Sequence, residues 1–154
     1  WKKRLFFGER DINSALEAFK VVLYNLQIRG SSFSEFAKIC LRIAWLYRYK
    51  GEWVNEHKFL KYSYEYYKKS YTGEHLTNGK LDEYTCMYII GELARRLGDY
   101  EEALIWLGKL VTSSIRSDSK GKAQPLLLEN AHNLIYDIKE AMKKDETSDG
   151  KLNQ

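Results

Sequence analysis

Five side chains in this 154-residue chain are of the types that hold a transition metal: Cys40, Cys86, His57, His75 and His132. On a helix, two ligands must stand three or four positions apart so that both project from one face. No two of the five have that spacing. Nucleophilic chemistry has no better footing, because the chain contains no Gly-x-Ser-x-Gly turn and no phosphate-cradling Gly-x-x-x-x-Gly-Lys loop. Glu101 and Glu102 are adjacent carboxylates, but they open a helix, where negative charge complements the backbone dipole. Each lone cysteine sits in an apolar helical pattern and reads as a small buried hydrophobe. No catalytic residue, metal or cofactor is expected.

Cations interleaved with aromatics offer a different chemistry. Lys58, Lys61, Tyr62, Tyr64, Tyr66, Tyr67, Lys68 and Lys69 combine ring faces with ammonium groups, which is how single-stranded nucleic acid is held. A nucleic-acid-binding accessory domain using helix 58–71 is therefore one reading. On a helix, however, those tyrosines spread over several faces, which suits packing against neighbouring helices or contact with another protein. The charge balance argues the same way: 25 basic and 21 acidic residues leave a net +4 and a pI near 8.9. That lies below the value of about 9 typical of a dedicated nucleic-acid domain, and the acids are interspersed among the bases.

The elements that position these residues are helices. Apolar residues make up 44% of the chain and charged residues 30%, with one proline and ten glycines, too few turn residues for an all-β domain. A chain this long buries roughly 69% of its extended surface, enough for a core without disulfides. Two isolated cysteines fit a reducing compartment, so a cytoplasmic protein is expected. No apolar run reaches membrane-spanning length. The opening Lys2-Lys3-Arg4-Leu5-Phe6-Phe7 is too short in its apolar part for a signal peptide, and a start at Trp1 suggests a piece of a longer protein.

Apolar spacing of three and four predicts six helices. The first spans about 11–28, with Ala15, Phe19, Val22, Leu23 and Leu26 inward. The second follows Ser32, whose hydroxyl forms a capping box with Glu35, and ends at Gly51. The third covers about 53–71, and residues 72–80 read as a loop. The fourth, about 82–97, stops at Gly98; Asp99 caps the fifth, about 100–115, with Ala103, Leu104, Leu107, Leu110 and Val111 inward. A loop at 116–123 precedes a sixth helix opened by Pro125, with Leu127, Ala131, Leu134, Ile135, Ile138 and Met142 as its stripe. One helical domain is expected over 1–144, with a disordered tail over 145–154.

Aligning Gly51-Glu52-Trp53 with Gly98-Asp99-Tyr100 sets two helix-turn-helix units in register, the arrangement of a tetratricopeptide repeat. Gly91 and Ala103 are small enough for two helices to approach closely, with Leu107 filling the gap beside them. In the first unit Ile43, Ala44, Tyr47 and Leu60 fit, but Glu56 falls at the small position. Gly8, Asp11, Ala15 and Phe19 repeat half a unit at the start. Gly51 and Gly98 are spaced 47 positions apart, about 13 more than the usual repeat of about 34. The expected fold is all-α, antiparallel helix pairs in a tetratricopeptide-like solenoid of about six helices.

Residues 40–48 and 91–103, Cys-Leu-Arg-Ile-Ala-Trp-Leu-Tyr-Arg and Gly-Glu-Leu-Ala-Arg-Arg-Leu-Gly-Asp-Tyr-Glu-Glu-Ala, resemble the bacterial family called domain of unknown function 2225. The resemblance runs from about Phe36 to Ser113, and the sixth helix, with Asp137-Ile138-Lys139-Glu140, looks like that family's closing helix. It implies a helical fold and a bacterial cytoplasmic setting but no activity. It also implies a cysteine-rich, zinc-binding-like segment upstream; this chain has no Cys-x-x-Cys.

In tetratricopeptide stacks the first helix of each unit lines a concave groove. By register that face would offer Lys38, Leu41, Trp45, Arg48 and Tyr49 from one unit, and Thr85, Tyr88, Glu92, Arg95 and Arg96 from the next. Trp, Tyr and Arg are the types enriched at binding hot spots, and the cations would favour an acidic peptide. Burial of Trp45 against the first or sixth helix is the competing expectation. The carboxylate-clamp pattern that binds chaperone tails is absent. A non-enzymatic protein-interaction module is the function these residues suggest.

Overall fold

The computed structural model describes residues 9–73, 83–116 and 123–152. Among them six helices and no strands occur: α1 (Glu9–Arg29), α2 (Phe33–Lys50), α3 (Trp53–Gly73), α4 (Glu83–Arg96), α5 (Tyr100–Arg116) and α6 (Pro125–Leu152). The all-α class and the packed helix pairs agree with the sequence pattern. The N-terminal opening through Gly8, His75, and most of the loops expected at 72–80 and 116–123 lie outside the described residues. Helices α1–α3 form one compact unit and α4–α6 a second, where the sequence suggested one domain over 1–144.

Two turns set the helix pairs. Gly51 ends α2 at φ 75° and Gly98 ends α4 at φ 82°, the left-handed region that side chains with a Cβ avoid. Gly51 N–H donates to Arg48 C=O and Glu52 N–H to Tyr47 C=O, both at 3.0 Å. Gly98 N–H donates to Arg95 C=O at 3.0 Å and Asp99 N–H to Ala94 C=O at 2.9 Å, the same double closure. The acid after each glycine then opens the next helix. Asp99 Oδ1 accepts from Glu102 N–H at 3.2 Å, and the Glu52 carboxylate accepts from the Asn55 amide at 2.9 Å. Ser32 caps α2 by accepting from Glu35 N–H at 3.4 Å.

In the first unit α2 lies between α1 and α3. Ile12 and Leu16 of α1 meet Ile43 and Tyr47 of α2, with Phe19, Leu23 and Phe59 packed around them. Val22, expected inward, is exposed, because α1 packs mainly on α2 and only a narrow stripe of it is buried. Across the other side of α2, Ala37 and Ser63 are fully buried, and Ser63 Oγ donates to Ala37 C=O at 2.8 Å. A serine hydroxyl reaching a neighbouring helix's carbonyl requires close backbones. The tight contact therefore sits two turns along α3 from Glu56, the position where the repeat pattern asks for a small residue.

In the second unit α5 packs on both α4 and α6, and α6 also touches α4. Gly91 provides the close approach: a Cβ built there would stand 2.8 Å from Leu107 Cγ and 3.5 Å from Ala103 C=O. Ala103, Leu107 and Leu110 are fully buried, as are Ala131 and Ile138 of α6. Ala123 N–H donates to the buried Ser114 hydroxyl at 3.1 Å, fastening the approach to α6 onto the end of α5. Helix α6 continues through Asp145 to Leu152, over the stretch expected as a tail. Near the start of that stretch Thr147 Oγ1 donates to Lys143 C=O at 2.9 Å, and Lys143 pairs with Glu140 at 3.4 Å.

The two glycines fail for different reasons when substituted. At Gly98 nothing lies within 4 Å of an added Cβ, so Gly98→Val tests backbone strain alone and lowers stability by about 1–2 kcal/mol in denaturant titration. At Gly91 the obstacle is Leu107. Gly91→Ala is destabilising in the native background and costs at least about 0.5 kcal/mol less in a Leu107→Ala background, read from a double-mutant cycle.

Candidate functional site

Helix α2 divides cleanly. Phe36, Ala37, Cys40, Ile43, Ala44 and Tyr47 are buried, while Lys38, Trp45, Arg48 and Tyr49 are exposed and Leu41 half-buried at complementary positions. Trp45 keeps 38% of its surface open, so it is not a core tryptophan. The Arg48 guanidinium lies over its ring, 5.3 Å from the centroid. That contact holds an aromatic plane and a cation together at the surface. Arg42, exposed on the same helix, adds a further cation, and the only acid in α2 is Glu35 in its first turn.

The corresponding residues of α4 are arranged otherwise. Glu92 accepts from Arg95 Nε at 3.1 Å and Nη2 at 2.8 Å, a bidentate pair, and from Arg96 Nε at 2.9 Å. Burial alone would raise the Glu92 pKa, but the hydrogen bonds and charges of the two arginines together hold it below the ordinary carboxylate value. Its hydrogen bonds raise the Arg95 pKa in turn. Burial, followed by the Glu92 charge, pushes the Tyr88 hydroxyl up against the opposing arginines. These shifts move Glu92 and Tyr88 away from neutrality, so neither is poised as an acid or base near pH 7. One carboxylate serves two arginines, so the three groups together keep one net positive charge.

The tyrosines of α3 sort by face. Tyr64 and Tyr67 are buried, Tyr66 and Tyr71 are half-buried, and Tyr62 is 43% exposed. Tyr66 stacks on Phe36 at 5.2 Å and Phe33 at 6.3 Å, with Lys69 Nζ 5.3 Å from its centroid. Tyr62 meets Phe59 edge-on at 5.6 Å, and Lys58 Nζ stands 6.0 Å from its ring.

Between these rings and the neighbouring helices lies a cleft of about 370 Å³ that the sequence pattern did not reveal. Phe59, Tyr62 and Tyr66 form one wall, Phe36 and Cys40 of α2 a second, and Leu23 and Gln27 of α1 the third, with Lys58 among the lining groups. The signal available in the sequence was the run Lys58, Tyr62, Tyr66, Lys69 on one helical face opposite Phe33 and Phe36. Cys40 is buried as expected of a core thiol, and that burial, partly opposed by its backbone hydrogen bond, pushes its pKa up to about 11.

Helix pairs closed by a common glycine turn, with aromatic and cationic residues on their outer faces, define an all-α helical domain. The chain belongs to the family described as uncharacterized proteins conserved in bacteria, DUF2225, whose model matches residues 1–136. That match reaches past both ends of 36–113, taking in α1 and the first turns of α6. No curated protein and no solved structure matches the chain. The residues present do not fit the family's implied zinc module: Cys40 and Cys86 are buried in separate units, and among the described residues no three His, Cys, Asp or Glu groups cluster as a metal requires. Among those residues also, no helix is long and apolar enough to cross a membrane.

The Glu92 pair has a pH signature. Because its folded pKa lies below the unfolded one, its stabilisation is present above the ordinary glutamate value of about 4.3 and is lost as pH falls through the lowered value. The difference in urea midpoint between the native chain and Glu92→Gln is expected to be largest at pH 7 and to shrink toward zero in acid. A difference that stays constant across that titration contradicts the pairing.

Proposed function

We propose that the chain is a non-enzymatic protein-interaction module of tetratricopeptide-like type that captures an acidic, aromatic-containing peptide in the bacterial cytoplasm. The observation that carries this is the exposed Trp45 ring with Arg48 stacked upon it, flanked along α2 by Lys38, Leu41 and Tyr49. Tryptophan and arginine dominate binding energy at protein contacts because each offers a large rigid surface with a polar tip. The cations of α2 face little acid on their own helix, which favours a negatively charged partner. The repeat-like character is supported by the paired turns at Gly51 and Gly98 and by the Gly91, Ala103 and Leu107 contact. Two buried cysteines in separate units, not joined in a disulfide, suit a reducing compartment.

Single-stranded nucleic acid would need tyrosine faces open to bases. On α3 the rings of Tyr62 and Tyr66 already contact phenylalanines and lysines of the protein, which favours the peptide reading.

A library of short acidic peptides, each with one tryptophan or phenylalanine, titrated by calorimetry tests the reading. Binders are expected to lose affinity by at least about tenfold with Trp45→Ala, while Arg48→Glu weakens them more at low salt than at high salt. Unchanged affinity in Trp45→Ala, with the fold intact by circular dichroism, overturns it.

A further inference from the structure

The cleft of the first unit is a separate feature from the α2 outer face, and its lining is chemically specific. At about 370 Å³ it falls at the lower end of the range in which proteins hold small ligands, about 300–1,000 Å³. Its walls combine aromatic and aliphatic side chains with polar ones in about equal measure, the polar side chains being Gln27, Tyr62, Tyr66 and Lys58.

Charge decides what those groups would receive. Among the described residues neither Lys58 nor Lys69 is paired with a carboxylate, while four other ion pairs of the chain hold their lysines or arginines at 3.4 Å or less. Aromatic walls can also attract a cation, but here the protein's own lysines stand over Tyr62 and Tyr66. An incoming cation would meet like charge. Lys58 and Lys69 are eleven positions apart, about 16 Å along a helix, so a small ligand cannot span both. Lys58 lines the cleft and Lys69 does not.

We propose that this cleft binds a free small molecule made of one apolar ring or short chain and a single carboxylate, the apolar part between Phe36, Phe59 and Leu23 and the carboxylate on Lys58. Tyr62 and Gln27 supply the neutral donors beside it. The site does not rest on the peptide reading of α2, since it shares none of the residues of that face.

The test is a ¹⁵N nuclear magnetic resonance titration of the full chain with 4-phenylbutyrate and its matched cation, 4-phenylbutylamine. The acid is expected to give saturable shifts at Gln27, Cys40, Phe59 and Tyr62, with Gly91 and Gly98 of the other unit unmoved. Lys58→Glu should weaken the acid by roughly tenfold or more, Lys58→Gln by less, and Lys69→Glu only slightly. Lys58 is exposed, so these variants keep the fold, which the unchanged amide spectrum verifies. Equal binding of the amine, indifference to Lys58→Glu, or no saturable binding overturns the proposal. So does binding seen only when the phenyl group is carried in an acetyl-Asp-Phe-Asp-amide peptide, which would make the cleft a protein-docking notch.

Discussion

Reversal of the chain at Gly51 and Gly98 is the constraint on which the helix pairs depend. A helix ends with unpaired carbonyls, and a left-handed residue lets the next two amides fold back onto them. Both turns use the same two bonds, and in both the following acid begins the next helix within one residue. So short a connection leaves α3 no choice but to run back along α2, and α5 along α4. The stripes of small and apolar residues then need only agree on depth.

The two pairs reach close packing by different means, and the difference has surface consequences. In the second unit Gly91 removes a side chain from the α4 side, and Leu107 fills the space. The packing at that contact is aliphatic. In the first unit the approach is made by Ala37 and Ser63, with a buried serine bonding to backbone. Bulky rings on either side of that contact cannot all enter the core: Tyr64 and Tyr67 are buried, whereas Tyr62 and Tyr66 are turned aside to meet Phe33, Phe36 and Phe59. The aromatic cleft is thus the outer margin of a helix interface built on small residues.

What was legible in the sequence is what depends on local chemistry. Ser32, Gly51, Gly98, Asp99 and Pro125 fix backbone at single positions, so helix ends read within a residue or two there. Gly91 with Ala103 and Leu107 was legible because the repeat pattern places them four to sixteen residues apart on two facing helices. The end of α6 was not, since residues after Asp145 have no apolar stripe to mark a helical face. The state of Arg95 and Arg96 was not legible either. A sequence shows two cations near one acid, but whether Glu92 takes both depends on rotamers that its partial burial selects. The cleft required three helices to be assembled before it existed at all.

The charge distribution follows from these packing choices. On α4 a half-buried carboxylate must be satisfied, and it satisfies itself with the two arginines beside it, which fixes their geometry and offsets one of their two charges. On α2 and α3 several cations stand over aromatic rings instead: Arg48 over Trp45, Lys58 over Tyr62, Lys69 over Tyr66. A ring attracts a cation but does not neutralise it, so the full positive charge remains available to a ligand, held beside an apolar surface. An anion arriving there gains a charge partner without displacing a carboxylate, whereas at α4 it would compete with Glu92. The first unit thus holds cations against aromatic rings, while on α4 the two arginines are tied to Glu92 and keep one net positive charge between them.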